Sequence, residues 1–229
     1  GGTEVVGGLL TPLPLMPLKP CSLGGPGLAM DIDVFNEDGK SIKGEIGHLV
    51  CKKPGPSMTK GFLKAPERYI ETYFEKFPGV WYHGDWAMVD EDGSWFLYGR
   101  SDDTIKVAGK RVGPGEVESA LVEHPDVAEA AVVGVPHDIK GESLACFITL
   151  LPGKSESEEL KEELRKLVAG KLGKTMRPDK IHTVPALPKT RSGKIVRRTI
   201  RSTYLGEDAG DKSSIENPEA LEQISQLNM

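Results

Sequence analysis

Several charged side chains lie at positions suited to binding an anion. The segment LPKTRSGKIVRR at 187–198 places Lys194 directly after a Ser-Gly pair and among other cations. Glycine and serine favour turns, so the segment predicts a loop that presents a lysine. A folded core does not require such a residue, because lysine is rarely buried. We therefore expect Lys194 to reach an anionic group elsewhere.

Two further segments combine charge with glycine. YHGDW at 82–86 places Asp85 after a glycine at a predicted strand end, where the backbone can come close to a ligand. Taken alone, a turn-capping aspartate explains Asp85 equally well. YGRSDDTIKVAGKRV at 98–112 carries Arg100, paired aspartates and further cations. Taken alone, this second segment is better explained as a solvated charged hairpin.

Strands and turns dominate the first hundred positions, which must hold some of these residues in place. Asp-Gly pairs at 38–39 and 92–93 predict turns between strands. One helix is predicted at 65–77, where Pro66 suits the first helical position and aromatic residues recur at helical spacing. The predicted strands lie at 31–35, 45–51, 81–89 and 94–99.

The pattern changes near Asp102, after which helices and strands alternate. In a long predicted helix at 155–172, Ser155 and Glu158 fit a capping box and Gly173 suits the end. The other predicted elements are a helix at 114–123 and strands at 128–135, 143–151 and 180–184. These patterns predict an α+β protein with a domain boundary near Asp102.

Each part of the chain has an expected role in this architecture. Residues 1–101 are expected to be the β-rich end of a larger domain, and 102–205 a small α+β domain that can hold its own core. Residues 206–229 are predicted to be a polar tail with a weak amphipathic helix at 218–227, packed on the surface or partly disordered. Because the chain begins without Met or a signal-peptide pattern, we expect a fragment of a longer cytoplasmic protein.

Composition excludes several classes of function. A formal net charge of -5 over 229 residues gives no overall basic field, so nucleic-acid binding is not expected. The 3 cysteines are far apart in sequence, which argues against a disulfide framework and a zinc site. The chain lacks an apolar run near the roughly 20 residues of a membrane helix, so no membrane partner is expected.

The order of four motifs resembles that of the adenylate-forming enzymes. The motifs are GTE at 2–4, YHGD at 82–85, YGRSDDTIKVAGKRV at 98–112 and PKTRSGK at 188–194. That superfamily includes acyl-CoA synthetases, the adenylation domains of peptide synthetases and luciferase. The chain is most similar to the acetyl-CoA synthetase branch. The segments that carry this closer resemblance are LTPLP at 10–14, ESALVEHPDVAEAAVVGVPHDIKGE at 118–142 and SSIENPEAL at 213–221.

The resemblance implies a reaction in two halves. A carboxylate attacks the α-phosphate of ATP and pyrophosphate leaves, and the thiol of CoA then attacks the acyl-adenylate and AMP leaves. The implied small molecules are acetate, ATP, CoA and Mg²⁺. Two alternatives stay open: a synthetase for propionate or another acid, and a non-catalytic module derived from the same fold.

The resemblance also implies a role for individual residues. Lys194 would neutralise charge on the carboxylate and α-phosphate oxygens, as the catalytic residue. Asp102 would be the hinge about which a small lid domain rotates between the half-reactions. The remaining adenylation residues would be Thr3, Asp85, Arg100 and Arg111 for the nucleotide, and Glu4 for Mg²⁺.

Further implied positions concern CoA and a second cation. The Ala108-Gly109 strand would line the pantetheine tunnel, where a side chain at Gly109 would fill the space. A second cation site would use His124 and the backbone carbonyls of Val122 and Val127, although His124 could equally cap the helix before Pro125. Where the branch has a CoA-contacting arginine this chain has Ala169, so Lys166 or Lys171 would substitute or the contact would differ.

Partners follow from the same resemblance. The chain would act together with the upstream part of its own polypeptide, and this part alone is expected to be inactive. A lysine acetyltransferase and a deacetylase could act on Lys194, because acetylation removes the charge that the adenylation role needs.

Overall fold

The computed structural model describes residues 1–227, which form an α+β protein as the sequence predicted. The chain divides into two compact units, one from Gly1 to Asp102 and one that begins at Asp103. In residues 1–227 no helix is long and apolar enough to cross a membrane.

The first unit is built on a four-stranded antiparallel sheet with the strand order β3-β4-β5-β6. A short antiparallel pair, β1 and β2, lies outside this sheet. Strand β5 has the predicted bounds, and the other three strands of the sheet lie within one or two residues of theirs. The elements are β1 Leu10–Thr11, β2 Gly25–Pro26, β3 Ile32–Phe35, β4 Gly47–Cys51, α1 Pro66–Phe74, β5 Trp81–Val89 and β6 Trp95–Arg100.

Helix α1 packs its aromatic side chains on this sheet. The Tyr73 ring stacks on the ring of Trp81, with centroids 3.7 Å apart, which adds a favourable ring contact to the burial of apolar area. Pro66 begins the helix as predicted. The helix ends at Phe74 rather than at position 77, and Ile70 is 54% exposed. Helical spacing therefore located the helix but overestimated its length and its buried face.

The second unit is a sheet covered by helices on both faces. Strand β10 is central: it pairs antiparallel with β9, parallel with β11, and at its first residue with β7 of the β7–β8 hairpin. The elements are β7 Ile105–Val107, β8 Lys110–Val112, α2 Pro114–Val122, β9 Val127–His137, β10 Gly141–Leu150, α3 Glu158–Leu172, β11 Lys180–Thr183, α4 Arg197–Leu205 and α5 Glu219–Ser225.

Alternate residues of β9 and β10 enter two different cores. Val132 and Cys146 pack with α2 and α3 on one face, whereas Ala131 and Phe147 pack with α4 and α5 on the other. Burial on both faces explains why these strands are continuous apolar runs rather than alternating ones. Val117 and Leu121 hold α2 in the first core, and Leu187 holds the segment before α4 in the second.

The long helix α3 begins later than predicted. Ser157, not Ser155, is the N-cap: its backbone is extended (φ −147°, ψ 160°) and its Oγ accepts a hydrogen bond from the Leu160 amide at 3.1 Å. A side-chain cap requires this extended backbone directly before the first helical residue. The predicted end is confirmed, because Gly173 has φ +96° and glycine tolerates that value.

Of the two helices near the C-terminus, one was predicted and one was not. Helix α4 was not predicted, although Ile200 and Tyr204 are buried at helical spacing. Helix α5 confirms the helix predicted at 218–227 with slightly shorter bounds, and of the two expectations for the tail it fits the packed one, since Ile224 is fully buried. Positions 228–229 of the predicted tail lie outside the described residues.

Candidate functional site

Asp85 and Arg100 face each other across two paired strands of the first unit. They are register partners in β5 and β6, and Arg100 Nη1 lies 3.7 Å from Asp85 Oδ1. The Asp85 side chain is only 14% exposed. Two residues assigned to one ribose by resemblance therefore lie side by side.

His83 and Trp81 support the Asp85 carboxylate from within the core. Trp81 Nε1 donates to His83 Nδ1 at 3.2 Å, so the ring proton of the imidazole is on Nε2, which lies 3.5 Å from Asp85 Oδ2. Burial lowers the pKa of His83 below its usual range. A neutral imidazole thus orients the carboxylate without adding a charge.

Gly84 allows the Arg100 guanidinium to lie against the backbone. Arg100 Nη1 donates to the His83 carbonyl at 3.0 Å. A Cβ at Gly84 would lie 2.7 Å from Arg100 Nη2, and Gly84 has φ +81°. Glycine is therefore required at this position for two reasons, close approach and backbone conformation.

If Arg100 binds the ribose of ATP, as the resemblance implies, Gly84→Ala raises the KM for ATP about tenfold in the complete protein, because it displaces Arg100. Steady-state kinetics at varied ATP measure this effect. Gly93→Ala is the matched control: it has φ +83°, and no described atom lies within 4 Å of its Cβ position. An equal rise of KM in both variants would show that backbone strain, rather than the displaced guanidinium, is responsible.

Asp102, the predicted hinge, is bound to Arg100. Arg100 Nε donates to Asp102 Oδ1 at 2.8 Å and Nη2 donates to Oδ2 at 2.9 Å. Such a bidentate pair fixes the plane of the guanidinium. The sequence had assigned these two residues separate roles, and the structure joins them at the end of the first unit.

The Thr3-Glu4 turn lies beside the same cluster. A Cβ at Gly2 would be 3.1 Å from Cε1 of His83, so the turn packs on the imidazole. Thr3 is exposed. Burial, together with the nearby Glu4 carboxylate and its hydrogen bond, raises the pKa of Tyr73 to about 12. The first unit thus brings Thr3, Glu4, Asp85 and Arg100 together.

Lys194 lies in a hairpin of the second unit, here called the Lys194 hairpin and formed by residues 188–196. Lys189 and Ile195 pair antiparallel. The Thr190 amide donates to the Lys194 carbonyl at 2.9 Å, and the Gly193 amide donates to the Thr190 carbonyl at 2.8 Å. Lys194 therefore follows the tip instead of forming it.

The Ser-Gly pair predicted to form a turn lies at the tip of the hairpin. Gly193 has φ +79°, so glycine is needed there for the shape of the turn. The Lys194 amide also donates to Thr190 Oγ1 at 3.2 Å. Both backbone groups of Lys194 are therefore hydrogen-bonded within the hairpin, and its side chain extends from this backbone.

A bidentate ion pair fixes the C-terminal side of the Lys194 hairpin. Arg197 Nε donates to Glu118 Oε1 at 2.7 Å and Nη2 donates to Oε2 at 2.6 Å. Glu118 Oε1 also accepts from the Val132 amide at 3.0 Å, and its side chain is 12% exposed. Asp103 Oδ2 lies 3.7 Å from Arg197 Nη1. The sequence analysis missed this pair, although a glutamate on the apolar face of α2 was a signal for it.

Ala108 and Gly109 form a turn, which corrects the prediction of a strand. They are the two residues between β7 and β8, with φ +49° and +80°. Two successive positive φ values are typical of a tight two-residue hairpin turn. Gly109 thus has a backbone reason to be glycine. Arg111 follows in β8, is exposed, and is the register partner of Lys106.

The three positions of the predicted second cation site lie on one connection. Val122 ends α2 and Val127 begins β9. His124 Nδ1 accepts from the Asp126 amide at 3.2 Å, and Nε2 lies 3.2 Å from Glu163 Oε2. Both ring nitrogens therefore contact protein groups outside α2, and the alternative that His124 caps the helix end also stays a prediction. The cation site stays a prediction, and residues 1–227 contain no cluster of three or more His, Cys, Asp or Glu residues that could hold a metal ion.

The lysines considered in place of an arginine at Ala169 differ in their surroundings. Lys171 forms an ion pair with Glu123. Lys166 is exposed on the same helix as Ala169. Lys166, Lys171 or a different contact therefore all stay open for CoA.

Part of this chain matches a known protein family. A family model described as AMP-binding enzyme C-terminal domain matches residues 116–194, which run from α2 to the catalytic candidate Lys194. This segment is similar to the C-terminal domain of AMP-binding enzymes. The match confirms the resemblance to adenylate-forming enzymes that the motifs indicated.

Curated relatives extend the similarity to nearly the whole chain. An acetyl-coenzyme A synthetase of Methanothrix thermoacetophila is 45% identical over 227 residues, which cover 97% of this chain and 34% of the relative. The chloroplastic/glyoxysomal acetyl-coenzyme A synthetase of Arabidopsis thaliana is 43% identical over 229 residues, covering 98% and 31%. The chain therefore spans about a third of the length of these relatives.

Solved structures agree with this similarity. The acetoacetyl-CoA synthetase from Streptomyces lividans has a TM-score of 0.89 and 30% identity, covering 100% of this chain and 35% of that one. The anthranilate CoA ligase AuaEII, in complex with anthranoyl-AMP, has a TM-score of 0.74 and 33% identity, covering 88% and 38%. The fold is thus that of the corresponding part of CoA ligases.

Proposed function

We propose that this chain is part of an AMP-forming acetate–CoA ligase. The observation that carries the proposal is the cluster of Asp85, Arg100 and Asp102, formed in a chain that is 45% identical to an acetyl-coenzyme A synthetase. A purely structural role would not require a guanidinium fixed beside a mostly buried carboxylate.

In the first half-reaction, a carboxylate oxygen of acetate attacks the α-phosphorus of ATP. The new P–O bond forms as the bond to the bridging oxygen breaks, and pyrophosphate leaves with that electron pair. Lys194 stabilises the charge that develops on the carboxylate and α-phosphate oxygens. Asp85 accepts hydrogen bonds from the ribose hydroxyls and Arg100 binds the same sugar. Thr3 and Arg111 bind phosphate oxygens.

Glu4 is the residue that would hold Mg²⁺. Its half-buried carboxylate lies beside the Tyr73 hydroxyl, and a carboxylate oxygen fits this hard cation, which commonly binds one or two carboxylates together with substrate phosphates. When bound, the ion neutralises phosphate charge. The neutral Tyr73 hydroxyl hydrogen-bonds to this carboxylate and fixes its orientation.

In the second half-reaction, the CoA sulfur attacks the acyl carbon and its thiol proton passes to solvent. The bond between that carbon and the phosphate oxygen breaks, and AMP leaves with the electron pair. We propose that rotation about Asp102 presents the Lys194 hairpin in the first half and the Ala108-Gly109 turn in the second. Both segments belong to the unit that begins at Asp103, which supports this division of roles.

Regulation by acetylation of Lys194 belongs to the same proposal. The side chain is exposed just beyond the hairpin tip, where a modifying enzyme could reach it. Acetylation would remove the charge needed for adenylation. The cytoplasmic location expected from the sequence also stays a prediction.

The acid substrate is tested with the complete protein. With ATP and CoA we expect acetate-dependent release of AMP and pyrophosphate together with acetyl-CoA. A panel with propionate and medium-chain acids decides between the proposed ligase and a relative with another substrate. Release of ADP and phosphate, or no dependence on any acid, would contradict the proposal and favour a non-catalytic module.

A further inference from the structure

The C-terminal tail pairs with the N-terminal side of the Lys194 hairpin. Ile215 and Thr190 form an antiparallel bridge, and the Glu216 amide donates to the Lys189 carbonyl at 2.9 Å. The tail therefore adds a short third strand-like segment beside the hairpin. The sequence analysis assigned this region a weak helix and a motif of the resemblance, but no contact with the hairpin.

Asn217 makes the most specific contact between the tail and the hairpin. Its Oδ1 accepts from the Lys189 amide at 2.9 Å, and its Nδ2 donates to the Leu187 carbonyl at 2.9 Å. The Asn217 carboxamide thus makes the two hydrogen bonds that the backbone of a neighbouring strand would otherwise make. An amide side chain of this length is suited to both contacts at once, because it has one acceptor and one donor end.

The tail segment is itself fixed to the core. Ile215, Ala220, Leu221 and Ile224 are all at most 9% exposed. Ile224 packs in the same cluster as Leu187, which lies directly before the Lys194 hairpin. Displacing the tail would therefore expose apolar area, so the contact from Asn217 comes from a stable platform.

The two sides of the hairpin are fixed by different residues. The Glu118–Arg197 ion pair fixes the end that leads into α4. On the other side, Lys189 Nζ forms an ion pair with Glu129, and Asn217 binds the backbone at Leu187 and Lys189. The position of Lys194 along the hairpin depends on both sides, because Thr190 and Lys194 are hydrogen-bonded across it.

We propose that Asn217 is a positioning residue for Lys194 in the adenylation half-reaction. The inference rests on the proposed function. Asn217 acts through the backbone of 187–190 and does not touch the reacting atoms. Loss of its amide leaves the Lys189 amide and the Leu187 carbonyl without this partner, and the hairpin then shifts relative to the core. Small shifts of a catalytic group lower rates strongly.

The test compares Asn217→Ala and Asn217→Asp with wild type in the complete protein. We expect acetate-dependent ATP–pyrophosphate exchange to fall about tenfold in kcat, with the KM for ATP little changed. Asn217→Asp should lose as much as Asn217→Ala, because its carboxylate faces the Leu187 carbonyl. Acyl transfer to CoA from supplied acetyl-adenylate should stay within about twofold of wild type. Ser214→Ala is the matched control, since this exposed side chain lies in the same tail.

A second measurement reports the hairpin without activity. Hydrogen exchange at the Lys189 and Thr190 amides should be faster in Asn217→Ala than in wild type and Ser214→Ala. Equal loss of both half-reactions together with a lower Tm would show a general structural role and overturn the inference. Wild-type rates of ATP–pyrophosphate exchange in the Asn217 variants would also overturn it. If the wild-type protein itself formed no acetyl-adenylate, the proposed function would fail first.

Discussion

Replacing Lys194 with alanine is expected to lower acetyl-adenylate formation in the complete protein by about 10²- to 10³-fold. The variant removes the one charge assigned to the developing negative charge on the carboxylate and α-phosphate oxygens. The backbone of the hairpin should stay intact, because its hydrogen bonds involve the main chain and Thr190. CoA attack on supplied acetyl-adenylate should be largely retained.

Measuring the two half-reactions separately decides this prediction. ATP–pyrophosphate exchange reports adenylation, and acetyl-CoA formation from supplied acetyl-adenylate reports transfer. Arg191→Ala is the matched control, since Arg191 is an exposed cation at the tip of the same hairpin, and it should keep exchange within a few-fold of wild type. Equal loss of both half-reactions in Lys194→Ala would contradict the assigned role.

Glu118→Ala is expected to have the largest effect on stability, a loss of about 3 kcal/mol. It leaves the Arg197 guanidinium, partly withdrawn from solvent, without its bidentate partner and the Val132 amide without its acceptor. Both groups then keep their desolvation cost without the compensating hydrogen bonds. Because Arg197 begins α4, the Lys194 hairpin should also lose its fixed C-terminal side.

Scanning calorimetry of the complete protein measures this effect as a fall in the Tm of the transition that includes the second unit. The matched control is Glu123→Ala, which removes a more exposed ion pair with Lys171 at the end of the same helix. That change should cost less than about 1 kcal/mol. Similar falls in Tm for the two variants would contradict the importance of the buried pair.

Elements with regular patterns could be predicted from sequence. Strand β5 was predicted with its correct bounds, because its apolar run ends at a turn with Asp-Gly chemistry. The N-terminus of α1 followed from Pro66, whose fixed φ suits the first helical turn. Gly173 was likewise identified as the end of α3. In these cases local chemistry alone determines the conformation.

Tertiary contacts explain what could not be predicted. Helix α4 has arginines at 197, 198 and 201, so its composition does not indicate burial. In the structure, however, Arg197 pairs with Glu118, and Arg201 Nε donates to the Gly134 carbonyl at 2.9 Å. Ser157 became the N-cap in place of Ser155 because the extended backbone lies at position 157. Sequence patterns do not specify which of two nearby serines has that conformation.

The residues of the candidate site could likewise be predicted only in part from the sequence. The sequence motifs identified Asp85, Arg100 and Lys194 as residues for anion and nucleotide binding. The groups that orient them were not identified. His83 lies within the YHGD motif but had no assigned role, and Asn217 is distant in sequence from Lys194. Such supporting contacts depend on strand register and on the packing of the tail, which become visible only in the folded chain.

Tracing oxygen from acetate to the products tests the central claim most directly. The complete protein is supplied with ATP, CoA and acetate labelled with ¹⁸O in its carboxylate, and the products are analysed by mass spectrometry. If acetate attacks the α-phosphorus and CoA then displaces AMP from the acyl carbon, each AMP carries one ¹⁸O and pyrophosphate carries none. Label in pyrophosphate or inorganic phosphate, with unlabelled AMP, would contradict activation through an acyl-adenylate.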